Sequence, residues 1–238
     1  MAQTPDHHAD APEGPPAFDK AFWDEHWESP ERDEAATGSP PNPYVLAETG
    51  RLTPGTALDA GCGTGAEAVA LAGAGWQVTG VDISERAVGE AERRANGAGV
   101  AARTEWLAAD LTTWEPDEQQ DLVMTNYAHP SIPQLEFYRR ISAWVAPGGT
   151  LLIVGHLHHG GRGHDGEHES AHGHESGHGH DDGWPPEEAT ATGAGITGLL
   201  DPEEWRVETA TEYTRDSRHG DAKVLRDVVV RATRTGGH

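Results

Sequence analysis

Short apolar segments alternate with amphipathic segments through the central part of the chain. The apolar runs are rich in Ala, Val, Leu and Ile and predict buried strands at residues 57–60, 76–82, 100–107, 121–127 and 146–154. The intervening segments have apolar positions at helical spacing and predict helices at residues 66–74, 85–95 and 131–145. Ser84 and Ser131 are the expected N-caps of the second and third helices. This alternation favours parallel strands joined by crossover helices.

The C-terminal part of the chain completes this sheet. A helix is expected to end within residues 197–200, and residues 205–213 and 224–232 alternate apolar with polar side chains, which predicts a hairpin. We therefore expect an α/β protein with a doubly wound, Rossmann-like sheet of seven strands, the last of them antiparallel, in a single domain.

The first predicted strand runs into a turn with glycine at alternate positions, Gly61, Gly63 and Gly65. Because glycine has no Cβ, such a turn lets the backbone approach a bound ligand closely. The helix expected from Ala66 directs unpaired N–H groups at the same place. Asp82 ends the second strand 21 positions after Gly61, a spacing typical of a carboxylate that accepts hydrogen bonds from ribose hydroxyls. Together these features predict a nucleoside-cofactor site.

The cofactor class depends on Asp59. Gly61, Gly63 and Ala66 satisfy the dinucleotide fingerprint, so a nicotinamide oxidoreductase is one hypothesis. A carboxylate two residues before the first glycine would repel a pyrophosphate, whereas it would attract a cofactor that carries an amino group and a sulfonium. Asp59 therefore favours a cationic nucleoside cofactor.

Residues 57–65 resemble motif I of the class I S-adenosylmethionine-dependent methyltransferases. Four later segments resemble further motifs of that family in the expected order, namely residues 78–84, 106–111, 121–127 and 146–154. The resemblance implies methyltransferase activity with S-adenosyl-L-methionine as cofactor, and it implies that Asp110 lies beside the adenine amino group. The cofactor-binding residues that it implies are Asp59, Ala60, Gly61, Cys62, Gly63, Gly65, Asp82, Ile83, Asp110, Leu111, Asn126 and Trp23.

An aromatic segment lies near the N-terminus. Phe18, Phe22, Trp23 and Trp27 fall at helical spacing within residues 17–28. One interpretation is a short helix that covers one end of the core. The other is a lid over the cofactor, because the segment resembles the aromatic N-terminal region that closes the site in thiopurine and tellurite methyltransferases. Trp23 is the residue expected to close the site.

Composition divides the 238 residues into four parts. We predict a disordered tail at residues 1–16, a cofactor-binding core with its lid at 17–155, a low-complexity insertion at 156–188, and a C-terminal helix and hairpin at 189–238. A formal net charge of −23 disfavours nucleic acid as a partner. The chain has no apolar run of membrane-spanning length and no apolar signal core, so we expect a cytoplasmic protein with no membrane partner.

Nine of the fifteen histidines lie between His156 and His180. Imidazole and carboxylate ligands suit zinc or nickel, and the candidate ligands are His172, His174, His178 and His180. A structural zinc site has a defined set of four ligands, and no such set stands out here. A metal buffer or sensor joined to the enzyme and a solvated glycine-rich loop therefore both remain open.

The catalytic candidates follow the fourth strand. Methyl transfer needs mainly in-line placement of the acceptor, and a general base only where the acceptor must lose a proton. Tyr127 and His129, and His156 after the fifth strand, are the candidate bases, with His129 in the best position. Residues 126–129 (NYAH) depart from the Asn-Pro-Pro-aromatic motif of methyltransferases that act on amide or ring nitrogens. We expect a small-molecule acceptor such as a thiol or chalcogen species. The alternatives are an O- or N-methyltransferase with His129 as base, and a non-catalytic metal-binding module that keeps the cofactor fold.

Overall fold

The computed structural model describes residues 17–28, 38–157, 189–216 and 224–236. The helices are α1 (Lys20–Glu28), α2 (Pro43–Thr49), α3 (Ala66–Gly73), α4 (Glu85–Gly97), α5 (Gln134–Ser142) and α6 (Gly193–Thr197), and a 3₁₀ turn lies at Ala101–Arg103. The strands are β1 (Thr56–Ala60), β2 (Gln77–Asp82), β3 (Thr104–Ala108), β4 (Gln120–Asn126), β5 (Val145–Leu157), β6 (Thr190–Ala191), β7 (Trp205–Asp216) and β8 (Val224–Arg234).

These strands form one mixed sheet in the order β3-β2-β1-β4-β5-β8-β7, with the two-residue strand β6 paired to the end of β5. Strands β1 to β5 pair in parallel, and β8 runs antiparallel to both β5 and β7. The predicted fold class, a doubly wound sheet that ends in an antiparallel strand, is confirmed. The chain order reverses direction at β1, where β2 and β4 lie on either side, and ligands bind at such switch points in open α/β sheets.

Helices cover both faces of the sheet, which explains why the central strands are apolar at almost every position. On β4, Leu122 and Met124 pack into the core on one face, and Val123 packs into the core on the other. Each of these side chains is fully buried. Phe137 and Ile141 of α5 close the second core. Burial on both faces holds the carboxyl ends of β1 to β5 at one rigid edge.

The helix after β4 is shorter than the predicted 131–145 segment. It begins at Gln134, after Pro133, and no side chain caps it, so the predicted cap at Ser131 is wrong. The residue before a proline is pushed out of the helical region, and Pro133 therefore prevents an earlier start. Val145 begins β5 instead of ending the helix.

Other element boundaries also differ from the prediction by a few residues. Strand β3 begins at Thr104, because the Val100 and Arg103 amides bond to the carbonyls of Ala95 and Val100 in turns. Helix α4 continues to Gly97, with the predicted cap accepting a bond from the Ala87 amide through the Ser84 side chain. Helix α6 ends at Thr197, within the predicted range 197–200.

The proposed division of the chain into four parts stays a prediction. The tail at residues 1–16 and nearly all of the histidine-rich insertion lie outside the described residues. None of the helices in the described part of the chain combines the length and the apolar character that crossing a membrane requires.

A close contact between β2 and β3 generates a test of this packing. A Cβ added at Gly80 would lie 2.4 Å from the Trp106 ring, whereas a Cβ added at Gly89 on α4 would meet nothing within 4 Å. We expect Gly80→Ala to lower the free energy of unfolding by about 1–3 kcal/mol through overpacking. Gly89→Ala, the matched control, should raise it by up to about 1 kcal/mol through helix propensity. Urea denaturation measures both, and equal stability of Gly80→Ala and wild type would contradict the packing.

Candidate functional site

A cavity of about 810 Å³ opens at the carboxyl ends of β1 to β5. Ligand sites of small-molecule enzymes have this size and are mainly apolar with a few polar groups. Its described wall comes from α1, the segment before α2, the glycine turn, and the ends of β2, β3, β4 and β5. The predicted site residues found on this wall are Trp23, Gly61, Cys62, Gly63, Asp82, Ile83, Asp110, Leu111, Asn126, Tyr127 and His129.

The glycine turn forms the floor of this cavity. Gly61, Gly63 and Gly65 have φ values of 84°, 49° and 74°, which side chains with a Cβ rarely adopt. A Cβ added at Gly61 would lie 2.2 Å from the Cβ of Ala128. The turn is held to the next strand because the amides of Gly61 and Cys62 both donate to the Val81 carbonyl, at 2.8 and 3.0 Å. The predicted cradle is therefore present, although Gly65 and Ala60 lie behind the cavity wall.

Asp82 lies at the end of β2, beside this floor. Its Oδ2 accepts a hydrogen bond from the Gly63 amide at 2.9 Å, and its Oδ1 accepts one from the Ser84 amide at 3.0 Å. Burial raises the pKa of Asp82, and the backbone amides oppose that shift. A carboxylate offers about four lone-pair positions, so Asp82 retains acceptor capacity towards a ligand in the cavity.

Asp110 follows β3, one strand further along the sheet edge. Its Oδ1 accepts a hydrogen bond from the Thr112 amide at 2.8 Å, which orients the side chain in its loop. Asp110, Asp82 and the glycine turn thus follow one another across β3, β2 and β1. An adenosine group laid along this edge would meet them in that order.

Asp59 was predicted to lie beside the cationic end of the cofactor, but its side chain is outside the cavity wall. It is 1% exposed within β1 and is not part of the cavity wall. Burial, and then the nearby carboxylates of Glu67 and Asp82, raise the pKa of Asp59 well above its ordinary value. Its Oδ2 accepts no hydrogen bond from the described residues. The carboxylate nearest the first glycine is therefore buried within β1 and does not reach the cavity.

A hydrogen-bonded triangle on the opposite side of the turn was not predicted. Glu67 Oε1 accepts from the Asn42 amide at 2.9 Å and from Asn126 Nδ2 at 3.1 Å, and Asn126 Oδ1 accepts from Asn42 Nδ2 at 2.9 Å. All three residues line the cavity. Two local signals were available in the sequence: an acidic residue in the first turn of α3, and an Asn-Pro pair that starts α2 with Asn42 as its N-cap.

Helix α1 lies beside the cavity, and the interpretation of residues 17–28 as a lid stays a prediction. None of its residues is fully buried, yet Trp23, His26 and Trp27 line the cavity. Trp23 Nε1 donates to the His129 carbonyl at 3.2 Å, which ties the helix to the segment after β4. A Cβ added at Gly63 would lie 3.4 Å from the Trp27 ring, so this ring lies over the glycine turn. Trp27 therefore approaches the turn more directly than the sequence suggested.

Three aromatic side chains form a column at the ends of β4 and β5. The His156 ring stacks on the Tyr127 ring with centroids 4.6 Å apart and on the His129 ring with centroids 5.3 Å apart. Tyr127 has a positive φ of 55°, a conformation that side chains favour only under constraint. Burial lowers the pKa of His129 to about 4, although its hydrogen bond to Gln134 opposes the shift. His129 is therefore neutral at pH 7 and a weak base.

The candidate metal ligands His172, His174, His178 and His180 lie outside the described residues. Within residues 17–28, 38–157, 189–216 and 224–236, no group of three or more His, Cys, Asp or Glu side chains is arranged to hold a metal ion. A zinc or nickel site thus gains no support from the described part of the chain.

Comparison with known proteins identifies the domain. Residues 57–149 match the family model of a methyltransferase domain. A probable thiol methyltransferase from Arabidopsis thaliana is 34% identical over 142 residues, a match that covers 56% of this chain and 60% of that protein. The chain thus spans about three fifths of the length of that relative.

Solved structures agree on the fold. The magnesium protoporphyrin IX methyltransferase of Synechocystis PCC 6803, solved with bound S-adenosylmethionine, matches 94% of this chain and all of its own with a TM-score of 0.60 and 17% identity. TehB from Haemophilus influenzae matches 80% of this chain and 61% of its own with a TM-score of 0.59 and 15% identity. Residues 57–149 therefore match a methyltransferase domain, in the segment where the sequence motifs predicted one, and the fold of the chain agrees with these solved methyltransferases.

The buried state of His129 generates a pH prediction. Between pH 6.5 and pH 4 the unfolded chain binds a proton at the His129 imidazole and the folded chain does not. The free energy of unfolding therefore keeps its full value above pH 6.5 and decreases as the pH falls towards 4. The shift corresponds to about 3 kcal/mol. We expect His129→Asn to remove this loss. The raised pKa values of Asp59 and Asp82 act with the opposite sign in both proteins and cancel in the comparison.

The measurement is the free energy of unfolding by urea at half-unit steps from pH 4 to pH 7.5. The wild-type curve should fall towards acid relative to the variant curve. Parallel curves for the two proteins would show that His129 is solvated and titrates normally.

Proposed function

We propose that the chain transfers the methyl group of S-adenosylmethionine to a small, soft nucleophile, with a thiol as the leading candidate. The observation that carries this proposal is the character of the cavity. Its described wall holds aromatic rings and carboxylates, has no lysine or arginine, and offers in His129 an imidazole too weakly basic to be an effective proton acceptor. The thiol methyltransferase relative supports the same substrate class.

The residues of the wall fit the cofactor. The glycine turn leaves space for the cofactor because it carries no Cβ atoms. Asp82 and Asp110 can still accept hydrogen bonds, from ribose hydroxyls and from an adenine amino group. S-adenosylmethionine supplies an electrophilic methyl group on a sulfonium centre. The aromatic rings of α1 exclude water from the floor, and the column at β4 and β5 bounds the space left for the acceptor.

A soft nucleophile needs the least general-base assistance from the residues of the cavity wall. Proton transfer is efficient when the catalytic pKa lies near the working pH, and a pKa of about 4 makes His129 a poor base for a phenol or an ammonium group. A thiol has an ordinary pKa near 8.5, so a useful share ionises without a protein base, and sulfur is intrinsically nucleophilic. The protein then contributes placement and desolvation.

The alternatives have less support. A carboxylate-rich acceptor would lack a cationic partner on the described wall, which already carries Glu67, Asp82 and Asp110. Nucleic acid is disfavoured by the net charge of −23. A non-catalytic metal module would leave the cavity and its aromatic cover without a role. The match of residues 57–149 to a methyltransferase domain favours a methyltransferase over a nicotinamide oxidoreductase.

Asp82 tests the cofactor assignment. Hydrogen bonds to a charged acceptor contribute about 1.5–3 kcal/mol, so Asp82→Asn should weaken S-adenosylmethionine binding at least about tenfold in calorimetry. Asp121 is the matched control, because it also accepts a hydrogen bond from a backbone amide, that of Thr56, but at the opposite end of the sheet. Asp121→Asn should leave the affinity unchanged. Equal affinities of wild type and Asp82→Asn would exclude the assignment.

The acceptor class is tested by steady-state formation of S-adenosylhomocysteine with a thiol, a phenol, a primary amine and a tricarboxylate side by side. We expect turnover of the thiol, with kcat/KM rising with pH up to the pKa of the thiol used. Three thiols of different pKa should shift that profile correspondingly. Turnover of only the phenol or the amine, abolished by His129→Gln, would establish a base-assisted O- or N-methyltransferase instead.

A further inference from the structure

We propose that Glu67 is the anionic group that binds the cationic amino-acid end of the cofactor, the part assigned to Asp59 by sequence reasoning alone. The inference rests on the proposed function, since it assigns one residue of the same cavity to one end of S-adenosylmethionine. Glu67 belongs to the first turn of α3 and lines the cavity. Asp59 is buried within β1 and does not line the cavity.

The order of the strands places Glu67 at the correct end. Asp110 follows β3, Asp82 ends β2, the glycine turn follows β1, and Asn126 ends β4, so these groups succeed one another along the sheet edge. If the adenosine lies over β3 and β2, its 5′ end points towards β1 and β4. Glu67 is hydrogen-bonded to Asn126 there. The charged end of the ligand therefore faces the carboxylate of Glu67.

The hydrogen bonds of Glu67 leave one of its oxygens for a ligand. Oε1 accepts both protein bonds, from the Asn42 amide and from Asn126 Nδ2. No described residue donates a hydrogen bond to Oε2, although the residue is only 9% exposed. Oε2 is not one of the buried side-chain atoms, so it is open to the cavity, where an ammonium group can donate a charge-assisted hydrogen bond to it.

The charges around Glu67 make a cation the only suitable ligand. Asp59 of β1 and Cys62 of the turn lie close enough to Glu67 for its carboxylate to raise the pKa values of both groups. Among the described residues that line the cavity there is no lysine and no arginine. The net negative charge on this side of the turn is therefore compensated by the ligand and not by the protein.

The triangle gives a substitution that removes only the charge. In Glu67→Gln the amide oxygen can still accept from Asn42 and Asn126, so the wall keeps its hydrogen bonds. Asn42→Ala does the reverse, because it removes the Asn42 side chain from the triangle and leaves the carboxylate in place. Asp82→Asn alters a group expected to contact the ribose and not the amino-acid end.

The experiment compares calorimetric affinities for S-adenosylmethionine and for 5′-methylthioadenosine, which has the adenosine and the sulfur but neither the amino acid nor the positive charge. Glu67→Gln should lower the affinity for S-adenosylmethionine at least about tenfold, the scale of one lost charge-assisted hydrogen bond. Its affinity for 5′-methylthioadenosine should stay within about twofold of the wild-type value. Asp82→Asn should weaken both ligands, and Asn42→Ala should preserve the preference for S-adenosylmethionine.

Equal weakening of both ligands by Glu67→Gln, or no weakening of S-adenosylmethionine, would overturn the assignment. If Asn42→Ala lost the preference for S-adenosylmethionine over 5′-methylthioadenosine, the assignment would also be overturned. The position of the Glu67 side chain, and not its charge, would then explain the preference. If Glu67→Gln does not fold, Glu67→Ala removes the same charge with a strong helix former, and the same loss of preference is expected. Wild-type protein that binds neither ligand would overturn the proposed function itself, a result distinct from any of these.

Discussion

The site depends on one backbone constraint, the pair of hydrogen bonds from the Gly61 and Cys62 amides to the Val81 carbonyl. They hold the end of β1 against β2 and force the turn into conformations with positive φ. Because Ala128 lies directly behind Gly61, no side chain fits there. Helix α3 begins immediately after this turn and carries Glu67 to the cavity, and Asp82 is fixed by the Gly63 amide. The positions of the polar groups therefore follow from the turn.

Around this turn the protein accumulates buried negative charge. Asp59, Glu67 and Asp82 are close enough that the last two raise the pKa of the first, and burial raises the pKa values of Asp59 and Asp82. Desolvating carboxylates costs free energy unless a cation or hydrogen-bond donors compensate. Backbone amides compensate at Asp82, whereas Asp59 Oδ2 has no donor among the described residues. In the proposed function a cationic cofactor beside Glu67 lowers the free-energy cost of these carboxylates, so its affinity depends on the negative charge around the turn.

Much of the fold and part of the site could be predicted from local patterns. Strands buried on both faces produce continuous apolar runs, and crossover helices produce a 3.6-residue period, so the parallel sheet and the C-terminal hairpin were predictable without tertiary information. The glycine turn and Asp82 were predictable as well, because both follow strands whose ends meet at one edge of the sheet. The predicted helix start at Ser131 was wrong, since a capping side chain was given more weight than Pro133.

The sequence by itself determined the class of the protein: an α/β sheet with a nucleoside-cofactor turn and an aromatic N-terminal segment. Only the tertiary structure decided which polar groups face the cavity. Asp59 is buried within β1. Glu67 lines the cavity and is held by hydrogen bonds to Asn42 and Asn126, which lie 25 and 59 positions away in the chain. Likewise the low pKa of His129 arises from burial under neighbouring elements. Periodicity reports which residues are buried, but the direction and protonation of a buried polar group depend on contacts distant in sequence.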